Sequence, residues 1–398
     1  MRRYYPGRDV ERARSIEELR RMAIRRLPHF CREYLEGGAE DEVTLRRNRS
    51  IFDGWAFLPR TLVDVTQRAQ SVDLFGQAVA SPFLIGPTGF NGMLTRRGDL
   101  ALARAAAAAG VPFTLSNVSN TALEDIADKA GGRLWMQVYL YRSRGFVRDI
   151  AMRAQRAGFE ALVVTTDLPV YGNREWDARN FRSGARLTLR NLIDTACHPR
   201  WLCDVFLPDG MPRFRNLGDL LPPGKDHAAG ASAILARELD PSLNWQDIAW
   251  LRDLWPGKLI VKGILDPRDA QEARRLGADG VILSNHGGRQ LDGAVSPMET
   301  LPEVAALLKG HLTVLIDGGF RRGSDIVKAR ALGADAVLLG RATLYGLAAG
   351  GEKGAARAIH LLTQEVDRVL ALLGCTDIRN LGPEVLRPVF NSIAGGQA

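Results

Sequence analysis

Eight short apolar runs, each followed by a stretch with helical spacing, constrain this chain more than any other feature. They are SPFLIGPTG, VPFTLSN, RLWMQVYL, ALVVTTD, KLIVKGIL, GVILSNHGG, LTVLIDGG and AVLLGRA, beginning near residue 81. Each is rich in β-branched or large apolar residues, as in a strand covered on both faces. Between them lie segments such as GDLALARAAAAAG, GFVRDIAMRAQRAG, DPRDAQEARRLG and RGSDIVKARALG. Several close on glycine, a helix C-terminal signal. Eight strands alternating with helices predict a parallel (β/α)₈ TIM barrel. The main rival, an open doubly wound sheet, carries GxGxxG after its first strand. The first run here ends in GPTGFNG instead.

Two stretches stand outside the repeat. Residues 1–80 begin with SIEELRRMAIRRLPHFCREYLEGG, helical in spacing, and continue as irregular strands; they are expected to form an N-terminal cap. Residues 175–243 interrupt the fourth unit, an insertion after strand 4 long enough to imply a function or disorder. With these additions the 398 residues fit one domain, 1–398.

Composition narrows the function classes. The four cysteines form no CxxC pair and no zinc pattern, so they are expected as reduced thiols and no metal is expected. No uninterrupted apolar stretch of about eighteen residues suggests a membrane span. The N-terminal segment lacks the apolar core of a signal peptide, so a cytoplasmic-side location is expected. The net charge is +8, with arginine dense near the N-terminus. No nucleic-acid motif accompanies it, so nucleic acid is not an expected partner. Anionic substrates or an anionic membrane surface fit better. In the insertion, Leu189, Leu192, Ile193 and Ala196 follow helical spacing among arginines, and Trp201, Leu202, Val205 and Phe206 follow closely. This reads as an interfacial amphipathic segment, or as a helix packed on the barrel or a neighbouring subunit.

In barrels of this kind the site lies at the C-terminal ends of the strands. Read there, strand 1 offers Pro87, Thr88 and Gly89; strand 2 Ser116; strand 3 Gln137 and Tyr139; strand 4 Thr165 and Asp167. Strand 5 carries Lys262, strand 6 Ser284, Asn285, His286 and Arg289, strand 7 Asp317, and strand 8 Gly340 and Arg341. The glycines of IDGGFRRG and LLGRA let backbone approach a phosphate, with Arg321 and Arg341 adding charge. His286 can take a hydroxyl proton near neutral pH, and Arg289 can hold a carboxylate in a planar fork. That pair suits a substrate bearing both groups. Asp167 can steady a protonated His286, or serve only as a helix cap. Lys262 on a buried strand needs an anionic partner. It reads either as a Schiff-base lysine, giving an aldolase or isomerase, or as a lysine beside a reduced flavin.

Together these segments resemble the FMN-dependent 2-hydroxy acid dehydrogenase and oxidase family. The likeness runs from about Leu27 to Cys375 and rests on YLEGGAEDE, LIGPTG, VTTDLPVYGNRE, VKGIL, SNHGGRQLDG and DGGFRRGSD. LIGPTGFNG, CHPRW and AVSPME point to the mandelate-oxidising branch, whereas ILDPRDA and TLRRNRS look equally like the lactate-oxidising one. The resemblance implies FMN as cofactor and a small 2-hydroxy acid as substrate. It implies that Tyr34, Arg174 and Arg289 hold the carboxylate and that Tyr139 stands near the hydroxyl. His286 is then the base and Asp167 its partner, in a hydride or a carbanion route. Lys262 would lie near flavin N1 and O2. Pro87 to Gly89, Ser116, Gln137, Thr165 and Ser284 would hold the ring and ribityl parts. Asp317, Gly319, Arg321, Gly340 and Arg341 would hold the ribityl chain and phosphate. Glycine at 89 looks like the dehydrogenase variant, since some oxygen-reactive members carry alanine there. Val118 stands where glycolate oxidase has tryptophan, leaving room for an aromatic substrate. The likeness further implies a quinone-type acceptor, peripheral membrane contact through the insertion, and a homotetramer.

Overall fold

The computed structural model describes residues 4–182, 186–222, 226 and 234–389. Of the predicted insertion 175–243, residues 183–185, 223–225 and 227–233 therefore lie outside the described set.

Eight parallel strands close into a barrel. They are β1 (Phe83–Ile85), β2 (Phe113–Ser116), β3 (Leu134–Tyr139), β4 (Ala161–Thr165), β5 (Lys258–Ile264), β6 (Gly280–Leu283), β7 (Thr313–Ile316) and β8 (Ala336–Leu339). β8 closes on β1 through Val337↔Phe83, Leu338↔Leu84 and Leu339↔Ile85. Every residue of β2, β4, β6 and β8 is buried, because side chains point either into the barrel or against the surrounding helices. That double covering explains apolar runs without polar alternation. Two of the helices between strands start on serine caps, and two close on glycine as expected. Ser143 caps Arg144–Arg156 by accepting from Phe146 N–H, and Ser296 forms a capping box with Glu299. Gly110 and Gly158, just past two helix ends, have φ of +65° and +80°.

The predicted cap is divided between the two ends of the barrel. Its helical part breaks at Pro28, which cannot continue a helix. α1 (Ile16–Arg26) packs on the final helix Arg341–Leu373, and α2 (His29–Glu36) and α3 (Val43–Ser50) lie over the C-terminal mouth. α3 is fastened there by a reciprocal amide pair: Asn48 Nδ2 donates to Asn285 Oδ1 at 2.8 Å, and Asn285 Nδ2 to Asn48 Oδ1 at 2.9 Å. The following hairpin, Val72–Leu74 with Gln77–Val79, goes to the opposite end. Its Phe75 packs against Trp135, with ring centroids 5.7 Å apart, near the start of β3. A short antiparallel pair, Trp55–Phe57 with Leu386–Pro388, joins the early and late parts of the chain.

The insertion carries a helix, Leu189–Ala196, whose Leu189, Leu192 and Ile193 are 61%, 53% and 60% exposed. The expected apolar face does not extend through the next turn. Trp201 and Val205 are buried and Leu202 is half-buried, whereas Phe206 and Leu207 are exposed. Trp201 donates its Nε1–H to the Met93 carbonyl at 2.7 Å and stacks edge-on against Phe30. Arg26 bridges Asp204 to the carbonyls of Leu94 and Ala348. Trp201 thus belongs to the attachment of the insertion, not to its exposed face, because a buried indole finds both a hydrogen-bond partner and an aromatic neighbour there.

Candidate active site

The mouth is built outward from β4, β5 and β6. β5 has a register shift between Lys262 and Ile264. The intervening Gly263 has φ +108°, and a Cβ there would stand 2.7 Å from Asp167 Cβ. Only glycine permits this bend together with so close a neighbour. Asp167 therefore rests against β5 and meets the loop after β6. There His286 adopts φ +57°, unusual for a residue with a side chain, and its Nδ1 lies 2.8 Å from Asp167 Oδ1. Its backbone N–H donates to Ser284 Oγ at 3.0 Å. Tyr139, from the end of β3, lies nearly parallel to the imidazole, 6.3 Å between centroids.

Electrostatics sets the protonation states. Burial pushes His286 below its ordinary 6.5; Asp167 pulls the other way, and Lys262 and Arg174 push further down. The ring is neutral at pH 7, with Nδ1–H donated to Asp167 and Nε2 left as acceptor. Burial alone would raise the Asp167 carboxyl, but His286 and Lys262 outweigh it and hold it below the usual carboxylate range. Lys262 is 4% exposed, donates to Ser284 Oγ at 2.7 Å and pairs with Asp317 Oδ2 at 3.2 Å. Burial alone would lower its pKa; Asp317 and Asp167 raise it above 10.5 instead. A lysine held charged in this way is a poor Schiff-base nucleophile, which disfavours the aldolase alternative.

The cations cluster. Arg289 reaches from the β6 loop to the carbonyls of Tyr34 and Gly37, both at 2.8 Å, and to Asp177 Oδ2 at 3.2 Å, and it covers the Tyr34 ring. Tyr34 Oη donates to the Gly89 carbonyl at 3.4 Å. Burial pushes its phenol up, as it does that of Tyr139. Arg174 donates to the Arg289 carbonyl at 3.1 Å and to Gln290 Oε1 at 3.1 Å. Burial and then Arg289 lower its pKa. Arg341 donates to the carbonyls of Leu35, Gly287 and Gly37 and is pushed down to about 10, by burial first and then by Arg289. Guanidiniums that destabilise one another's charge form a field suited to anions.

Ser116 Oγ donates to Gln137 Oε1 at 2.8 Å, and Gln137 Nε2 to Thr165 Oγ1 at 3.0 Å. This buried chain crosses β2, β3 and β4. Thr88 is tied to Asn91 Nδ2 at 3.0 Å, and Asn91 to the buried Asp99 at 2.8 Å. At the far side, Gly319 faces α3 so closely that a Cβ would stand 1.9 Å from the Asn48 carbonyl oxygen. The structure thus brings the expected residues to one mouth: His286, Asp167, Tyr139, Arg174, Arg289 and Tyr34 form one group, Arg341 joins it by sharing the Gly37 carbonyl with Arg289, and Gly319, Arg321 and Gly340 follow β7 and β8. Asp177, Gln290 and Asn48 belong to the same assembly and are not singled out by the sequence, whereas Asn285, read at the end of strand 6, pairs with Asn48 there. Asp177 follows Arg174 by one helical turn, and Gln290 is the next residue after Arg289; that spacing was the available signal.

Fold and mouth together define a barrel enzyme that works with a phosphate-bearing cofactor. The chain belongs to the FMN-dependent dehydrogenase family, whose pattern it matches over residues 23–388. It is 49% identical over 374 residues to an (S)-mandelate dehydrogenase of Pseudomonas putida, covering 94% of this chain and 93% of that one. It is 42% identical over 377 residues to an L-lactate dehydrogenase of Alcaligenes faecalis, covering 94% and 98%. The crystal structure of a monotopic membrane (S)-mandelate dehydrogenase superposes with a TM-score of 0.90 at 47% identity, covering 95% of this chain and all of that one. The protein is an FMN-dependent 2-hydroxy acid dehydrogenase.

The residues present fit FMN. Among the described residues Asp317 Oδ1 is buried without a partner, a free acceptor for a hydroxyl. Among the described residues Arg321 donates its side chain only to the Phe320 carbonyl, at 3.0 Å, and lies over Tyr345. A Cβ at Gly340 would touch only Thr88 Cγ2, at 3.9 Å, so backbone there can be approached closely.

Proposed function

We propose that the enzyme oxidises (S)-mandelate to its 2-oxo acid and passes the electrons to a quinone-type acceptor at a membrane surface. The observation that carries the chemistry is the 2.8 Å contact of His286 with Asp167, beside two arginines. Support for the substrate comes from the 49% identity to an enzyme that acts on it, and from the small Val118 beside Gly89.

Arg289, Arg174 and Tyr34 bind the carboxylate, and Tyr139 lies beside the hydroxyl. His286 Nε2 takes the proton, and Asp167 stabilises the resulting imidazolium through Nδ1. FMN, when bound, supplies the two-electron acceptor. It would be held by Pro87, Thr88, Gly89, Ser116, Gln137, Thr165 and Ser284 at the ring and ribityl parts. Asp317, Gly319, Arg321, Gly340 and Arg341 would hold its ribityl chain and phosphate. The charged Lys262 would supply a fixed cation to stabilise negative charge on the reduced ring.

No described helix is long and apolar enough to cross a membrane. The exposed Leu189, Leu192, Ile193 and Leu207 support a shallow interfacial contact. A monotopic membrane relative supports the same reading. The 42% identity to L-lactate dehydrogenases favours lactate as the second reading. Anaerobic flavin bleaching with (S)-mandelate, L-lactate and glycolate side by side decides between them. Reoxidation by a soluble quinone analogue against oxygen tests the acceptor. Fastest bleaching by lactate would overturn the mandelate assignment.

A further inference from the structure

The loops after β4 and β6 are joined by one neutral side chain. Gln290 Nε2 donates to the carbonyl oxygens of Asp167, at 3.1 Å, and Val170, at 3.0 Å. Its Oε1 accepts from the Gly172 N–H at 3.3 Å and from Arg174 Nη2 at 3.1 Å. Two carbonyls on one side and two N–H donors on the other fix which end of the amide is nitrogen, and both ends are fully used. The loops approach so closely that a Cβ at Gly172 would stand 2.4 Å from the Arg289 oxygen and 2.7 Å from Gln290 Cα.

Gln290 thereby touches both halves of the site. Its nitrogen holds the backbone of the residue that backs the imidazole. Its oxygen holds a guanidinium whose other acceptor among the described residues is the Arg289 carbonyl at 3.1 Å. Both acceptors are uncharged, so Arg174 is oriented without being neutralised. A carboxylate at this position would orient it equally well and cancel the charge that a ligand needs.

We propose that Gln290 is a positioning residue of the dehydrogenase: it locks Asp167 and Arg174 into one unit and orients Arg174 for the substrate without itself adding a counter-charge. The inference rests on the roles given above to those two residues. The isosteric Gln290→Glu is the discriminating variant, since it restores shape and an acceptor but adds a charge and loses the donor.

The test uses FMN-loaded enzyme and phenylacetate, which lacks the hydroxyl and so binds without reacting; its Kd is read from the flavin spectrum. Gln290→Ala raises the Kd about tenfold, and Gln290→Glu raises it at least as much. At saturating (S)-mandelate, anaerobic flavin bleaching in Gln290→Ala falls about tenfold further, because the Asp167 backbone is released. In an Arg174→Ala background, replacing Gln290 changes the phenylacetate Kd less than about twofold. Wild-type affinity in Gln290→Glu overturns the proposal, as does an undiminished effect in the Arg174→Ala background or unaltered bleaching at saturation. If Arg174→Ala alone binds phenylacetate normally, the carboxylate role of Arg174 falls, and this proposal falls with it. Flavin content and melting temperature of each variant separate these outcomes from misfolding.

Discussion

Asp167 and His286, 119 residues apart in the chain, face each other at 2.8 Å across the mouth, carboxylate oxygen to Nδ1. The contact fixes which ring nitrogen is free and lets the base work from a neutral resting state. Since burial holds the His286 pKa below 6.5, flavin reduction should be half-maximal below that value and flat through neutrality. Asp167→Asn removes the charge that raises this pKa, so the half-point moves to lower pH while the plateau falls. His286→Gln should slow reduction by roughly 10²–10⁴-fold with phenylacetate binding kept. Stopped-flow bleaching by (S)-mandelate from about pH 5 to 8 measures all three. A half-point that rises in Asp167→Asn contradicts the assignment.

Lys262, buried, and Asp317, partly buried, form an ion pair that stability measurements can isolate. Lys262→Met leaves the carboxylate without its cation and should destabilise the apoprotein by about 1–3 kcal/mol. Adding Asp317→Asn should recover much of that loss. Urea unfolding of both variants checks the expected non-additivity.

Gly89 and Val118 cannot both carry bulk. A Cβ at residue 89 would stand 2.5 Å from Val118 Cγ2. Gly89→Ala should therefore cost about 1–3 kcal/mol and weaken FMN retention, and Val118→Ala in the same chain should relieve it. FMN release during dialysis and thermal melting report the outcome.

The insertion divides into an attachment and a free face. Leu192→Glu with Ile193→Glu should release the enzyme from anionic vesicles and leave bleaching by mandelate and the melting temperature unchanged. Trp201→Ala should instead lower stability by about 3–5 kcal/mol, because a fully buried indole and its bond to Met93 are lost. Vesicle co-sedimentation of the double variant that matches wild type would refute the membrane face.

The barrel was legible because double burial writes unbroken apolar runs, as in β4, where ALVVT is entirely buried. The catalytic assembly was legible as residue types at strand ends. Geometry was not. An amphipathic period cannot tell a lipid-facing face from a protein-facing one, so Trp201 and Leu192 read alike, though one is 1% and the other 53% exposed. Gln290 lies in an irregular turn where no period operates, and its importance comes from four partners spread over residues 167–174. The split of the first eighty residues between two ends was equally hidden, because a hairpin sequence does not state which surface it will cover.

The pairing of Trp55–Phe57 with Leu386–Pro388 acts as a clasp on the whole chain. During synthesis the early strand stays without this partner until residues 386–388 have left the ribosome. Translation products stopped before residue 386 would leave that edge open, and a protease acting just after Phe57 would find it.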